Sequence, residues 1–446
     1  MKRGRAIAVV DLGFGDSGKG LTVDALARDA LARSLGDCLV VRFNGGAQAG
    51  HNVVDPDGRH HTFSQFGAAT FVPGARTFLS SRMVVHPTAL LGEATALAAK
   101  GVGDAWERLF VSRRALAIAP FQQALGRLRE LARGDARHGS CGVGVGEAVG
   151  DSLKIGAPVL RAGDLADRPF ALGVLKRIQE AKRAEAAGLR AYGKAADSER
   201  RLLDDPGAAE AWLDLAAGFA RSARLVDDDF LGERERAGDD LIFEGAQGVL
   251  LDERHGFHPH TTWSDCTFRG AEELLAGRRK LERIGVLRTF LVRHGAGPFP
   301  TEDAAVGRRI QERHNADGPW QGPVRFGWPD WTLMRYALAA CGGADALALT
   351  HLDALDGLRE WRAADGYDIG AELPHAGESE AERRAATEAF ARAVPRYRSL
   401  ALPGGTNSGE SYVRLVEDAA GLPATLSSRG PSSAEVILRR KACALD

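Results

Sequence analysis

Short apolar runs alternate with glycine-rich and polar segments along this chain. Residues 6–12 (AIAVVDL) form an apolar run that ends in GFGDSGKG, and the following LTVDALARDALARSL repeats apolar residues at helical spacing. A second apolar run at 38–43 leads into another glycine-rich segment, GGAQAGHN. Strand, glycine-rich loop and helix in this order are typical of a phosphate-binding α/β fold.

The same pattern returns in the second half of the chain. Further β-prone runs occur at 241–248, 284–292 and 346–353, and each ends in a polar or glycine-containing segment. In open α/β sheets the functional groups gather at the carboxyl ends of such strands. Between the two halves, residues 165–240 are rich in Ala, Arg, Glu and Leu with few glycines, and they predict a helical subdomain.

Length, charge and cysteine content narrow the class of protein. A chain of 446 residues predicts one large α/β domain with insertions, or two to three lobes. The net charge of -1 gives no general reason to expect nucleic acid or a membrane surface as a partner. The five cysteines are widely spaced and odd in number, which favours a reducing compartment over a disulfide framework. The apolar run before Asp11 is too short for a signal peptide, and we expect a cytoplasmic protein without a transmembrane helix.

The first glycine-rich segment, residues 13–19, has the spacing GxxxxGK. Backbone N–H groups of such a loop bind phosphate oxygens, and Lys19 supplies a positive charge. Gly20 stands where a Mg²⁺-binding Ser or Thr is usual, and Asp16 lies inside the loop. A carboxylate beside phosphates repels them unless it ligates the metal or acts as a base. The alternative, a glycine-rich turn with a chance lysine, is disfavoured by the strand and helix on either side.

Several segments, taken in order, resemble the adenylosuccinate synthetase family. GDxGKG after a first strand looks like the phosphate loop of that family, and GGAQAGHN (45–52) is similar to its GGHNAGHT. Further matches follow in the family's order: FEGAQGVLLDERHG (243–256), RHGAGPFPTE (293–302), LTHLDALDGL (349–358) and SRGP (428–431). The resemblance spans nearly the whole chain. It implies one domain over 1–446, with a large, mainly parallel sheet flanked by helices, P-loop-like GTP binding and a helical insertion.

The resemblance also implies a two-step reaction that uses GTP and Mg²⁺. The 6-oxygen of a purine nucleotide, IMP, is phosphorylated, and the amine of L-aspartate then displaces phosphate to form a C–N bond. Asp16 matches the base that takes the N1 proton, His51 matches the residue that stabilises charge on the 6-oxygen, and Lys19 matches a group on the phosphates. Asp16 and the backbone of Gly50 match the metal contacts. A loop histidine that caps a turn is the alternative for His51.

The resemblance implies two groups of GTP-binding residues, one that binds the phosphates and one that binds the guanine base. The phosphate end comprises Gly15, Ser17, Gly18, Lys19, Gly20 and Gly50. Asp353 matches the carboxylate that reads the N1–H and 2-amino groups of guanine, while His351 replaces the lysine usual two positions earlier. The residues that resemble the second wall of the family's base pocket are Ser428, Gly430 and Pro431.

The acceptor site departs from the family pattern. Its implied residues are Gln48, Ser140, Cys141, Gln247 and Thr262. Gln48 replaces an asparagine, and the segment around Ser140 and Cys141 replaces paired threonines. For Gln247 and Thr262, ordinary loop hydrogen bonding is the alternative. The arginine that the family contributes across a dimer interface falls on Ala157, with Arg161 nearby. Fewer hydroxyl and guanidinium groups predict weaker binding of a 5′-phosphate.

The amine-donor loop departs as well. Of the arginine cluster that clamps aspartate in the family, only Arg325 remains in residues 318–328. One guanidinium can hold one carboxylate, so this loop favours an amine donor that is less acidic than aspartate. Extra histidines occur in the neighbouring loops and would either rebuild anion binding or mark a metal site, the latter disfavoured by their irregular spacing: His255, His258, His260 and His294.

Three functions therefore stay open. The first is adenylosuccinate synthesis proper, by a homodimer that binds GTP, a purine nucleotide and an amino acid. The second is a paralogue that applies the same phosphoryl activation to another acceptor or amine donor. The third is a GTP-binding regulator without turnover, which the presence of both Asp16 and His51 disfavours. A P-loop GTPase switch is disfavoured because the guanine-reading segment is THLD and not NKxD.

Overall fold

The computed structural model describes residues 4–33, 37–310, 320, 322–369, 373, 379–405 and 407–439. The strands are β1 (Ala6–Asp11), β2 (Cys38–Arg42), β3 (His51–Val54), β4 (His60–Phe63), β5 (Ala75–Leu79), β6 (Val84–Val85), β7 (Leu109–Ser112), β8 (Leu116–Ala117), β9 (Arg224–Val226), β10 (Asp240–Gly248), β11 (Leu281–Arg288), β12 (Leu291–His294), β13 (Val324–Gly327), β14 (Ala346–Thr350), β15 (Glu360–Tyr367), β16 (Pro395–Ala401), β17 (Ala424–Ser428) and β18 (Val436–Leu438). The helices are α1 (Lys19–Ala32), α2 (Pro87–Ala99), α3 (Pro120–Arg133), α4 (Val145–Ser152), α5 (Arg168–Ala186), α6 (Lys194–Asp204), α7 (Ala208–Ser222), α8 (Phe230–Ala237), α9 (Arg269–Leu275), α10 (Ala304–Arg309), α11 (Trp331–Ala340), α12 (Glu380–Ala391) and α13 (Asn407–Ala420).

A ten-stranded sheet dominates the described part of the chain. Its order is β18-β17-β14-β11-β1-β10-β2-β5-β7-β9. Neighbouring strands are parallel except for β17 and β18 at one edge. β1 pairs with β10 on one side and β11 on the other, so the first glycine-rich loop leaves from the middle of the sheet. The predicted large, mainly parallel sheet flanked by helices is confirmed.

Alternate residues of β1 belong to two different apolar clusters. Ile7 and Val9 pack into one cluster, and Ala8 and Val10 pack into the other. A parallel strand buried on both faces needs a continuous apolar sequence, which is what AIAVV supplies. The apolar run therefore places the phosphate loop over a fully covered sheet.

Two predicted segments are more divided than their sequence patterns indicate. The run at 284–292 is split, because β11 ends at Arg288 and β12 pairs with β13 in a separate two-stranded sheet. Residues 165–240 contain helices α5 to α8, but also β9, which joins the edge of the main sheet beside β7. Whether this segment is a subdomain of its own stays a prediction. Among the described residues, every helix is too short or too polar to span a bilayer.

Candidate active site

A cavity of about 1270 Å³ opens beside the loops that follow β1 and β2 and the end of β10. Ten of the residues predicted from the sequence line it: Gly15, Asp16, Lys19, Gln48, Gly50, His51, Ser140, Cys141, Gln247 and Thr262. The others lie in the described part of the chain but not on this lining: Ser17, Gly18, Gly20, Arg325, Asp353, Ser428, Gly430 and Pro431. The structure thus brings together the predicted catalytic and acceptor residues.

The phosphate loop is held by Asp11, the last residue of β1. Its carboxylate accepts hydrogen bonds from the backbone N–H of Gly13 at 2.8 Å and of Ser17 at 2.9 Å. It also pairs with the ammonium group of Lys19 at 3.0 Å, and both side chains are buried. Sequence reasoning missed Asp11, although a carboxylate that ends an apolar strand was the signal. The carboxylate fixes the loop and pre-positions Lys19.

Close packing against two strand ends fixes the loop further. A Cβ on Gly248, at the end of β10, would lie 2.2 Å from the carbonyl oxygen of Gly13. Gly18 has φ 95° and would bring a Cβ to 2.9 Å from Thr350, at the end of β14. The hydroxyl of Thr350 donates a hydrogen bond of 2.7 Å to the carbonyl of Ser17. Only glycine permits these approaches, so the loop is braced by both strands.

The neighbouring strand β3 packs closely against Gly20 and leaves little room for a side chain there. A Cβ at this position would lie 3.0 Å from the Cβ of His51 and 3.0 Å from the carbonyl oxygen of Asn52. Helix α1 begins at Lys19 and packs on β3, so a serine or threonine after the lysine would press on the histidine. The close packing of β3 therefore disfavours a hydroxyl side chain at this position of the phosphate loop.

His51 is oriented by Glu244, a buried carboxylate inside β10. Nδ1 of His51 is hydrogen-bonded to one carboxylate oxygen, and the other accepts from the backbone N–H of Ala68 at 3.0 Å. Burial lowers the pKa of His51 despite the opposing charge of Glu244. Burial also disfavours ionised Glu244, but Arg42 and His51 outweigh this and lower its pKa. Nε2 of His51 is buried and has no hydrogen-bond partner in the described part of the chain, so this ring atom is available to a ligand.

Asp16 lies beside His294, a residue to which the family resemblance assigns no role. Its carboxylate is 2.9 Å from Nε2 of His294, at the end of β12. Burial opposes ionisation, but the hydrogen bond and charge of His294, aided by Lys19 and Arg288, lower the pKa of Asp16. Asp16 also adopts φ 59°, a left-handed conformation that is uncommon outside glycine. The carboxylate is therefore ionised and its backbone is constrained.

The segment around Ser140 and Cys141 is anchored to helix α3. The carboxylate of Glu130 accepts from the backbone N–H of Ser140 at 3.3 Å, and Nε of Arg127 donates to the carbonyl of Gly142 at 3.0 Å. The guanidinium of Arg127 also lies 5.4 Å from the ring centroid of Trp320. These contacts place a residue of the predicted donor loop directly against the predicted acceptor segment.

The remaining acceptor residues have different environments. The side-chain oxygen of Gln48 is buried without a hydrogen-bond partner among the described residues, so it is an unsatisfied acceptor at the cavity. Gln247 has φ 63°, a left-handed conformation at the end of β10. The backbone N–H of Thr262 donates to the carbonyl of Leu251 at 2.8 Å, which leaves its hydroxyl out of this contact.

The predicted base-reading residues follow two adjacent strands. Asp353 lies exposed in a 3-10 turn after β14, and Ser428 ends the neighbouring β17 with a buried hydroxyl that lacks a partner within the described ranges. His351, the residue after β14, adopts φ 58°. Its Nε2 accepts a hydrogen bond of 2.7 Å from the guanidinium of Arg288, and its Nδ1 lies 2.9 Å from the hydroxyl of Thr350. The carboxyl ends of β14 and β17 thus meet where a base pocket was predicted.

Arg325, the predicted donor residue, is engaged with the protein itself. Its guanidinium binds the carboxylate of Glu302 at 2.6 and 3.0 Å and the carbonyls of Gly295 and Gly297, each at 2.9 Å. Residues 318, 319 and 321 of the predicted donor loop lie outside the described residues. Binding a substrate carboxylate at Arg325 would require it to exchange one of these partners.

Sequence comparisons with known proteins all lead to the same protein family. The family model of adenylosuccinate synthetase matches residues 8–437. The adenylosuccinate synthetase of Vibrio parahaemolyticus is 32% identical over 460 residues, with 98% of each chain covered. Adenylosuccinate synthetase 1 of Chromobacterium violaceum is 34% identical over 443 residues, covering 97% of this chain and 96% of that protein.

Two solved structures have a similar fold. The fully ligated adenylosuccinate synthetase from Plasmodium falciparum matches with a TM-score of 0.78 and 21% identity over 98% of this chain and 100% of that chain. The succinoaminodeoxyadenylate synthetase of cyanophage S-2L, bound to dGMP and dATP, matches with a TM-score of 0.56 and 18% identity over 99% and 97%.

Proposed function

The chain belongs to the adenylosuccinate synthetase family and is a GTP-dependent ligase that forms a C–N bond, and we propose that its substrates are IMP and L-aspartate. In this reaction the γ-phosphoryl group of GTP passes to the 6-oxygen of IMP. The amine of aspartate then attacks C6, and inorganic phosphate leaves with the oxygen. Phosphorylation is needed because a lactam oxygen is a poor leaving group and phosphate is a good one.

One arrangement carries the proposal: Asp16, Lys19 and His51 line the same cavity. Asp16 is ionised, as a base that removes the N1 proton must be. Glu244 occupies Nδ1 of His51, so the unpartnered Nε2, when protonated, donates to the 6-oxygen as negative charge develops there. Lys19, held by Asp11, supplies positive charge to the transferring phosphoryl group.

Mg²⁺ fits the residues beside the phosphate loop. It prefers oxygen ligands and is usually bound by one or two carboxylates together with substrate phosphates and water. The described residues include no cluster of three or more His, Cys, Asp or Glu side chains suited to hold a metal unaided. We therefore propose that Asp16 and the backbone of Gly50 hold Mg²⁺ jointly with GTP, where the ion would neutralise phosphate charge.

For the nucleotides, we propose the roles that the family resemblance assigns. The backbone of 15–20 and Gly50 binds the phosphates of GTP, Asp353 reads guanine, and residues 428–431 form the other wall of its pocket. The acceptor nucleotide is bound by the group that lines the cavity: Gln48, Ser140, Cys141, Gln247 and Thr262. Arg325 would hold one carboxylate of the amine donor after releasing an internal partner.

We also propose a homodimer and a cytoplasmic location. Leu153 and Ile155, beside the acceptor segment, are largely exposed apolar side chains. Covering such a patch in a partner subunit would remove apolar surface from water. The position that supplies the family's interface arginine is Ala157, so we propose that the partner stabilises this edge of the cavity rather than contributing a charge.

A second candidate is a paralogue that uses another acceptor or amine donor. The observation in its favour is Arg325, whose donors are occupied by Glu302 and two carbonyls. The cyanophage protein with this fold was captured with dGMP, so the fold admits purine nucleotides other than IMP. A GTP-binding regulator without turnover would need neither Asp16 nor the oriented His51.

Phosphate release from GTP tests the proposal directly. The assay contains Mg²⁺, IMP and L-aspartate, and each substrate is omitted in turn. Release that requires all three, together with formation of adenylosuccinate, is the expected result. GTP binding without release would contradict IMP and aspartate as the substrates and favour the paralogue, for which other nucleotides and amines are screened in the same assay. Absence of release with every pair would favour the regulator.

A further inference from the structure

Among the described residues, eight arginine and lysine side chains line the cavity, and six of them have partners within the protein. The carboxylate-paired residues are Lys19 with Asp11, Arg129 with Glu147, Arg133 with Glu130, Lys154 with Asp151 and Arg384 with Glu380. Arg293 donates instead to the carbonyls of Ala296 and Pro298. Within the described ranges, the side chains of Arg254 and Arg383 have neither an ion pair nor a hydrogen bond. These two cations are therefore available to a ligand.

Arg383 is the more constrained of the two. It lies in the first turn of α12, is half-buried, and its Nε is buried without a hydrogen-bond partner in the described part of the chain. Leaving such a donor unsatisfied is unfavourable, and more so when the group is charged. Arg254, by contrast, is exposed to water. A ligand that accepts from Arg383 would remove this cost.

The surroundings of Arg383 belong to the acceptor side of the cavity. His138 and His258 line the same cavity as Arg383, and Nδ1 of His260 lies 3.3 Å from the carbonyl of His138. This contact joins the segment before Ser140 to the segment before Thr262. Burial lowers the pKa of His258, opposed by the hydrogen bond of 2.8 Å between its Nε2 and the carbonyl of Glu253 and aided by the charge of Arg383. Burial likewise lowers the pKa of His138, and a bound anion would favour the protonated form of either ring, whose free N–H can then donate to it.

We propose that Arg383, with His138 and His258, forms an anion-binding subsite for the charged end of a substrate remote from the reacting atoms. The ligand is a phosphate monoester or a carboxylate, because a guanidinium binds both through paired hydrogen bonds. In the proposed function, these groups are the 5′-phosphate of the acceptor nucleotide and a carboxylate of the amine donor. The assignment of the group to a substrate rests on that function. The subsite would compensate for the engaged Arg325 and for the lost acceptor hydroxyls.

The test compares Arg383→Ala with Arg392→Ala, a matched control at the other end of the same helix. Arg392 is exposed and does not line the cavity. Calorimetric titration of the full chain measures binding of IMP and of inosine, and of L-aspartate in the presence of IMP and a non-hydrolysable GTP analogue. Arg383→Ala should weaken one of the anionic ligands by about tenfold or more, with Arg392→Ala unchanged. Arg383→Lys keeps the charge and should restore part of the affinity; it also replaces Arg383→Ala if thermal unfolding shows a loss of fold.

Each outcome decides the proposal. Weaker binding of IMP but not of inosine assigns the subsite to the phosphate, and weaker binding of L-aspartate alone assigns it to a carboxylate. Equal affinities in the two alanine variants would overturn the subsite, as would an equal loss for inosine. Wild-type chain that binds IMP and aspartate without releasing phosphate would contradict the proposed function, while the same titrations still decide the subsite. If wild type binds neither substrate, titration with inorganic phosphate takes their place, and equal affinity in both variants overturns it.

Discussion

The carboxylate of Glu244 is hydrogen-bonded to Nδ1 of His51 in the interior of the protein, although the residues lie on different strands and far apart in sequence. Glu244 also accepts from a backbone N–H, so its position is fixed from two sides. A histidine with one ring nitrogen engaged in this way presents the other nitrogen in a defined direction. Glu244 is therefore a positioning residue for His51.

Glu244→Gln should slow turnover more than it weakens binding. The amide removes the negative charge that favours protonated His51, so we expect kcat to fall by about 100-fold while the KM for GTP stays within about threefold. Steady-state kinetics across pH 6 to 9 measure both. Glu93→Gln, which alters a buried carboxylate that caps the turn at Ser64 and Gln65, is the control. An equal loss in both variants would mean that Glu244 acts only through stability.

Asp16→Asn should abolish phosphoryl transfer while GTP still binds. The amide cannot take a proton, and we expect turnover to fall by about 1000-fold or more. Phosphate release reports the chemistry, and titration with a fluorescent GTP analogue reports binding. Asp16→Glu, which retains a carboxylate at a shifted position, should keep measurable activity. Turnover near the wild-type rate in Asp16→Asn would remove Asp16 as the base.

Asp353→Asn should relax the preference for guanine. A carboxylate accepts from both the N1–H and the 2-amino group, and its loss should reduce the ratio of kcat/KM for GTP over ATP by about 10- to 100-fold. Asp345→Asn is the control, because Asp345 lies before β14, at the end of the strand opposite to Asp353, and pairs with Arg283. Unchanged discrimination in Asp353→Asn would show that the base is read elsewhere.

Asp330→Asn should change how stability depends on pH. Burial raises the pKa of Asp330 to about 6 from its ordinary value of 3.8, despite hydrogen bonds from Tyr367 and the start of α11. The folded state therefore binds more protons than the unfolded state between these values, and the stability that Asp330 contributes at low pH is lost as the pH rises towards 6. The difference in unfolding free energy between Asp330→Asn and wild type should therefore shift in favour of the variant by about 2–3 kcal/mol as the pH rises from 4 to 7.

Chemical denaturation at pH 4, 5, 6 and 7 measures this difference. Asp303, which caps another helix, should show the opposite dependence of stability on pH. Asp303 caps the N-terminus of α10. Hydrogen bonds from the Trp328 indole and from the N–H of Ala305 lower its pKa. Its contribution is present above its ordinary pKa and is lost at lower pH. Asp303→Asn should therefore be less stable than wild type at pH 7, with the difference shrinking in acid. Parallel pH profiles for the two variants would contradict both assignments.

The sequence predicted the parts of this protein that depend on local pattern. The apolar run before Asp11 and the glycines after it specify a buried strand and a phosphate loop, and both are present. The split of the 284–292 run was missed, because a strand that turns out of the sheet after Arg288 keeps the same apolar composition.

Contacts between distant segments were not accessible from local pattern. Glu244 lies in the segment 243–256 that resembles the family, but nothing near it in sequence identifies His51 as its partner. Likewise, Arg383 lies in a charged helix whose sequence resembles an ordinary solvated surface. The contact between His294 and Asp16 depends on how β12 leaves the sheet, which no periodicity encodes.

The contact of Gly20 with His51 constrains how this loop can change over evolution. The volume that a hydroxyl side chain fills in other phosphate loops is taken here by the first residue of a neighbouring strand. A Cβ at position 20 would lie 3.0 Å from the Cβ of His51, so a serine or threonine there would require the strand to shift by a few tenths of an ångström. Any side chain at position 20 is therefore coupled to the placement of His51, because both depend on the same close contact.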